Sequence, residues 1–271
     1  MNGLRRVLTA AALLPVLWAT IVLAPPWVFV VLTLLTIATA SWECYRMLES
    51  RGTRPFRALG ILASLALIGP YLAEGWRYDA SLPLIAATLL TVALAIVRRS
   101  TPDTTLETCL NTLFPILFIG LTLSYIVGLR MLPGEDGKDV VLLLLVCVML
   151  GDTAAFYVGS AIGRRKLAPR LSPKKSWEGA IAGVVGSVGG ALIAHFGFYQ
   201  RLGLTDALVL GVLLGIAGIV GDLAESVIKR SSGFKDSSSL LPGHGGVMDR
   251  TDSLLFSAPI LYYYYFALLQ G

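Results

Sequence analysis

Between Ser226 and Asp252 the chain reads S-V-I-K-R-S-S-G-F-K-D-S-S-S-L-L-P-G-H-G-G-V-M-D-R-T-D, which sets three acids, four bases, one histidine and four glycines into 27 residues. Carboxylates gathered at one place repel each other unless a cation sits among them, and hard oxygen ligands are what magnesium takes. Lys229, Arg230 and Lys235 can hold phosphate oxygens. Pro242-Gly243-His244-Gly245-Gly246 reads as a turn whose glycines let backbone approach a ligand closely. His244 suits a phosphate donor, a proton carrier or a turn stabiliser. Asp249 and Asp252 are three apart and share a face if a helix begins near them, with Asp252 as that helix's cap an equal alternative. Polar chemistry this dense needs a scaffold to hold it.

That scaffold is apolar. Hydrophobic residues make up 55% of the 271, only 14% are charged, and the mean hydropathy is +0.74, against about 25% charge in soluble domains. These values identify an all-α, polytopic integral membrane protein. Nine apolar stretches are expected to span the bilayer, at 7–24, 27–44, 59–73, 82–97, 110–129, 140–162, 180–196, 207–228 and 254–269. The first can also be read as a signal peptide with Arg5 and Arg6 as its basic region. With a cytoplasmic N-terminus, 18 of the 22 lysines and arginines fall in inner segments, a strong positive-inside bias. Both of the most polar loops then face the cytoplasm, as expected for a multi-pass protein of the inner (plasma) membrane. Five spans fall in an N-terminal region, 1–136, and four in a catalytic region, 137–271. Cys44, Cys109 and Cys147 stand singly with no C-x-x-C spacing, so neither a disulfide framework nor a zinc site is indicated. The net charge of +5 matters less in a membrane protein than where the bases lie, and no nucleic-acid partner is expected.

Three helices have small-residue faces, and two of these faces carry acids. In the eighth span Gly211, Gly215, Gly218, Asp222, Glu225 and Lys229 follow at steps of four, three, four, three and four, one helical stripe. Glycines let a neighbouring helix come close, so these acids point into the bundle. The seventh span repeats the device with Gly179, Gly183, Gly186 and Gly190, and in the sixth Asp152 shares a face with Ala155, Gly159 and Gly163. A carboxylate deep in the bilayer costs on the order of 3 kcal/mol or more, so such acids pair or line a polar cavity. Pairing of Asp222 with Lys229 or Arg230 is the plainer alternative.

A second polar loop, G-R-R-K-L-A-P-R-L-S-P-K-K-S-W-E-G, precedes the seventh span. Ser172-Pro173 reads as an N-cap with proline at the first helical position, which would place Lys174, Lys175 and Ser176 in a first turn. Free N–H groups, a helix N-terminus and two ammonium groups suit phosphate; a basic anchor on lipid headgroups is the alternative.

Taken together these residues resemble the phosphatidate cytidylyltransferase family, the CDP-diacylglycerol synthases. Ser226, Lys229, Arg230, Lys235, Asp236, Pro242, His244, Gly245, Gly246, Asp249, Arg250 and Asp252 each match the family's pattern. The similarity extends to Gly221-Asp222 with Glu225, to Gly151-Asp152, and to the loop from Ser172 to Gly179, where the family's common threonine at 176 is Ser176. The first five spans match only in being apolar. The resemblance implies Mg²⁺-dependent transfer of CMP from CTP to phosphatidic acid, releasing pyrophosphate. It implies a homodimer in a lipid bilayer, with Asp222 and Asp249 binding the metal and K⁺ as a second candidate ion. Asp222, Asp249, Lys229, Arg230 and His244 are the expected catalytic residues. Lys174, Lys175, Ser176, Ser226, Lys235, Asp236, Gly245, Gly246 and Arg250 are the expected substrate contacts.

Rival readings are an ion-coupled transporter, a CTP-dependent lipid kinase, a CDP-alcohol transferase and a lipid-binding scaffold. A transporter calls for polar residues through the outer half of the seventh and eighth spans, which hold almost none. The D-G-x-x-A-R run of CDP-alcohol transferases is absent. A scaffold leaves the His-Gly-Gly and Asp-Arg-x-Asp runs unexplained.

Overall fold

Prolines set the first long helix. Pro26 stands at the first helical position, where its missing N–H costs nothing, and helix α1 runs Pro26–Glu49. The structure, a computed structural model, describes residues 15–72, 80–98, 101–134, 136–240 and 245–269. After α1 come α2 (Arg57–Leu72), α3 (Ser81–Val97), α4 (Pro102–Arg130) and α5 (Asp136–Ile162). A short antiparallel hairpin, β1 (Lys166–Ala168) with β2 (Ser172–Ser176), leads into α6 (Trp177–Gly197), α7 (Leu204–Ser231) and α8 (Met248–Tyr264). The chain is therefore helical apart from one hairpin among the described residues. Helices α1, α4, α5, α6 and α7 are long and apolar enough to cross a membrane, while α2 and α3 are apolar but shorter.

These elements fall into two units: 1–128 with 231–250, and 129–230 with 251–271. In the first, α1 buries Phe29, Val30, Thr33, Ile37, Ala40, Cys44 and Leu48 at helical spacing. Tyr45 donates to the Thr112 carbonyl of α4 at 2.6 Å, and Thr112 Oγ1 accepts from Phe56 N at 2.9 Å. Ala63, Leu67, Ala87 and Ile116 form a small apolar core. Pro115 lies inside α4, and residues Ile116–Leu121 widen into a π-turn directly after it. A proline withholds one N–H and crowds the preceding turn, and such a wider turn accommodates the disruption.

In the second unit the small-residue faces do what their spacing predicts. A Cβ on Gly190 would lie 2.9 Å from Cys147 Cα of α5, and one on Gly151 would lie 3.1 Å from the Gly183 carbonyl oxygen of α6. On the other side of α6, a Cβ on Gly211 would come within 2.5 Å of Val188 Cα and one on Gly215 within 2.9 Å of Val184 Cα. Helix α6 is thus held at backbone contact by α5 and α7. At the end of the unit away from the hairpin, Asp136 accepts from Arg201 and from Tyr265 OH, each at 3.0 Å. There His195 Nδ1 meets the Leu202 carbonyl at 2.6 Å, a structural role.

One local expectation fails. Ser172 does not cap a helix; Ser172–Ser176 is a strand, and α6 starts at Trp177 with Ser176 as its cap, Oγ accepting from Gly179 N at 3.2 Å. Proline at position 173 fits a short edge strand as well as a first turn, because it lacks only an N–H that neither needs. Pairing of Lys166 with Ser176 and capping by the Ser176 hydroxyl decide between the two.

Candidate active site

Helix α7 brings Asp222, Glu225 and Lys229 to one face, and α8 adds Asp252. Ligand oxygens of Asp222, Glu225 and Asp252 lie within 4.8 Å of one another. The approach needs Gly221, since a Cβ there would collide with the Asp252 carbonyl oxygen. At an effective dielectric near 20, two unit charges at such a distance repel by about 3 kcal/mol. Cationic side chains offset this. Lys175 Nζ stands 2.6 Å from Asp222 Oδ2, and Lys229 pairs with Glu225, whose side chain is fully buried. Asp152 of α5 joins through Ser253 Oγ, 3.2 Å from Asp152 Oδ2.

The strand, not a helical turn, explains which lysine reaches the acids. Successive side chains of a strand point to opposite faces: Lys174 is exposed, while Lys175 is half-buried against Asp222. Three bonds tie the hairpin and the residues leading into it to the helices beside it. Arg230 Nε donates to the Leu171 carbonyl at 3.2 Å, and Glu178 accepts from the backbone N–H groups of Arg164 and Arg165 at 3.2 Å. Ser226 is buried on α7.

In the first unit, the other part of the 226–252 stretch is built around Asp249. Its Oδ2 accepts from Ser237 N at 2.9 Å, Ser237 Oγ at 2.9 Å and Gly246 N at 2.8 Å. Gly245 has φ +80, a left-handed conformation open to glycine at little cost. Beneath lies Glu43 of α1, fully buried. Its carboxylate accepts from Ser237 Oγ (2.9 Å), Ser238 Oγ (2.5 Å), Val247 N (3.1 Å) and Met248 N (2.9 Å). Arg46, one turn further along α1, donates to the Ser237 carbonyl at 3.0 Å and stacks on Trp42 and Phe234. Lys235, Asp236 and Arg250 are exposed, and His244, with Pro242 and Gly243, lies outside the described residues.

Set against the sequence, Asp222 and Glu225 stand together as their spacing requires. Asp222 pairs with Lys175, and Lys229 takes Glu225, so the pairing of Asp222 with Lys229 or Arg230 is not what the fold uses. Nor is Asp252 a helix cap: α8 begins at Met248, and Asp252 sits a turn inside it, facing the α7 acids. Gly246 has an intramolecular reason for its missing side chain, because a Cβ would lie 2.5 Å from both Glu43 carboxylate oxygens. Glu43 itself was not singled out by motif or spacing. Its one signal is a lone acid in the apolar run of α1, a pattern that usually marks a buried partner.

Comparison with known proteins bears on the whole chain. Residues 4–268 match the model of the cytidylyltransferase family. A phosphatidate cytidylyltransferase of Haemophilus influenzae is 34% identical over 98% of this chain and 99% of its own length. One from Synechocystis is 32% identical over 90% of both chains. A third, the chloroplastic phosphatidate cytidylyltransferase 5 of Arabidopsis thaliana, is 32% identical over 89% of this chain and 67% of its own. With the match running almost end to end and through every described residue of both carboxylate clusters, the chain belongs to the cytidylyltransferase family.

Proposed function

We propose that this protein transfers CMP from CTP to phosphatidate: a lipid phosphate oxygen attacks the α-phosphorus, the bond from that phosphorus to the bridging oxygen breaks, and pyrophosphate leaves. CDP-diacylglycerol is the product. The observation that carries the reading is the three-carboxylate cluster with two lysines in it, set in apolar helices of a chain that belongs to the cytidylyltransferase family. Asp222, Glu225 and Asp252 against Lys175 and Lys229 leave a formal charge of −1, and Asp152 makes it −2. That balance and the all-oxygen donor set fit a divalent cation of the Mg²⁺ kind. Asp222 is the acid we assign to it first, with Glu225 and Asp252 beside it. Asp249 is assigned to the same role, since a carboxylate offers about four lone-pair sites and three hydrogen bonds to Oδ2 leave it ligand capacity. Bound there, the ion would neutralise charge on the phosphates and orient the leaving group.

The chain's own residues supply positioning. Lys175 and Lys229 hold ammonium groups over the carboxylates, within reach of phosphate oxygens that approach them. The lipid phosphate is already an anion near neutral pH, so it needs no strong general base, and orientation with charge stabilisation carries most of the rate. Lys174, Ser176, Ser226, Arg230, Lys235, Asp236, His244, Gly245, Gly246 and Arg250 are assigned to CTP and the lipid headgroup. The wider setting is also proposed: nine crossings of the inner membrane, a cytoplasmic N-terminus, a site open to the cytoplasm, a homodimer, and K⁺ as a candidate second ion.

Purified protein supplied with phosphatidate, Mg²⁺ and CTP labelled in its α-phosphate should yield labelled lipid and free pyrophosphate. Label that reaches lipid only from the γ-phosphate would mark a lipid kinase and overturn the proposal.

A further inference from the structure

We infer that Glu43, on the second apolar stretch of the chain, is a positioning residue for the Asp249 turn. The inference rests on the assignment of Asp249 to the reaction proposed above. Glu43 reaches residues about 200 positions away and binds both sides of the loop: Ser237 and Ser238 before the His-Gly-Gly run, Val247 and Met248 after it. It shares Ser237 Oγ with Asp249, each carboxylate 2.9 Å from that oxygen. Val247 and Met248 offer N–H groups at the start of α8, where no residue within the helix can accept them. A buried carboxylate at a helix N-terminus also meets the positive end of the helix dipole. Glu43 therefore does from another helix what a local cap does for most helices, and it fixes the first turn on which Asp249 rides.

Two further observations point the same way. Gly246 leaves room for the Glu43 oxygens and for little else, as a Cβ would lie 2.5 Å from each. Arg46, three residues on, grips the Ser237 carbonyl, so one face of α1 holds the loop by an anion and a cation at once. The N-terminal helices, whose sequence carries no chemistry of its own, thereby take a part in the site. Glu43 touches no reacting atom in this scheme; it acts through Asp249.

The test compares wild-type protein with Glu43→Gln and Ser238→Ala by hydrogen–deuterium exchange and by kinetics with CTP, phosphatidate and varied Mg²⁺. Glutamine keeps the shape but puts an NH₂ group where a backbone N–H or a serine hydroxyl needs an acceptor. Expected in Glu43→Gln are exchange at residues 245–250 at least about tenfold faster, with α6 and α7 unchanged, and a kcat lower by about tenfold or more, the scale of a lost charge-assisted bond. The KM for CTP should stay within about twofold of wild type, because the residue meets no substrate. Ser238→Ala, a milder change, should shift both readouts in the same direction by a smaller factor, and the double variant should be less than additive. Unchanged exchange at 245–250 overturns the inference, as does unchanged kcat. If Glu43→Gln loses protection in every helix, Ser238→Ala decides alone: local loosening with a lower kcat supports positioning, and a silent variant refutes it. Failure of the CMP-transfer reading would show in the wild-type protein itself, whereas the exchange comparison stands without any activity.

Discussion

Asp222 and Asp249 are each bound to a specific set of donors, and replacing either by asparagine removes charge without removing bulk. Both Asp222→Asn and Asp249→Asn are expected to lower CMP transfer by more than about tenfold, at about 1.4 kcal/mol of barrier per decade, while the protein still inserts and purifies. Activity within that limit would take the acid out of the proposed metal site. Lys175→Ala should impair use of CTP more than His195→Ala does, because Lys175 stands on Asp222 while His195 bonds a loop carbonyl at the other end of the unit. Equal effects in a steady-state comparison would leave the hairpin as an anchor only. Legibility differed sharply among these residues. Asp222 and Glu225 could be placed from spacing alone, since helical periodicity fixes which side chains share a face. Glu43 could not, because its partners lie about 200 residues away and no local pattern encodes them.

At the scale of elements, α6 offers a clean comparison between neighbours. Gly190→Ala puts a methyl 2.9 Å from Cys147 Cα, whereas at Gly189 nothing lies within 4 Å of the added carbon. Both changes gain up to about 1 kcal/mol of helix propensity. Gly189→Ala is therefore expected to hold or raise the melting temperature in detergent and Gly190→Ala to lower it by forcing α5 and α6 apart; a scan showing the two alike would disprove backbone contact along this face. The glycine spacing announced that contact, and the structure bears it out. What misled was Ser172-Pro173, a dipeptide compatible with a first helical turn and with an edge strand. Only the pairing of Lys166 with Ser176, a tertiary matter, selects the strand. Ser176→Ala should cost about 1 kcal/mol as a lost cap, seen as a lower denaturation midpoint, while Ser172→Ala should cost less.

For the molecule as a whole, helical class and membrane character could be read from composition and the length of the apolar runs, because 14% charge lies far below the roughly 25% usual in soluble domains. The number of crossings could not: among the described residues five helices meet the requirement of length and apolarity, and the shorter α2 and α3 do not reveal it by pattern. Orientation is testable with the protein's own chemistry, since Cys44, Cys109 and Cys147 are all buried. A cysteine in place of the exposed Arg170 should react with an impermeant maleimide only once the cytoplasmic face is opened; labelling of intact cells would reverse the proposed topology. The long reach of Glu43 also bears on biogenesis. A ribosome adding about 5–20 residues per second needs roughly 10–40 s to pass from residue 43 to residue 237. Throughout that interval the carboxylate is in or beside the lipid with none of its four donors yet made. The nascent second segment is thus the one most prone to slip back toward the aqueous side, and a stalled chain ending before Ser237 should show it exposed to protease.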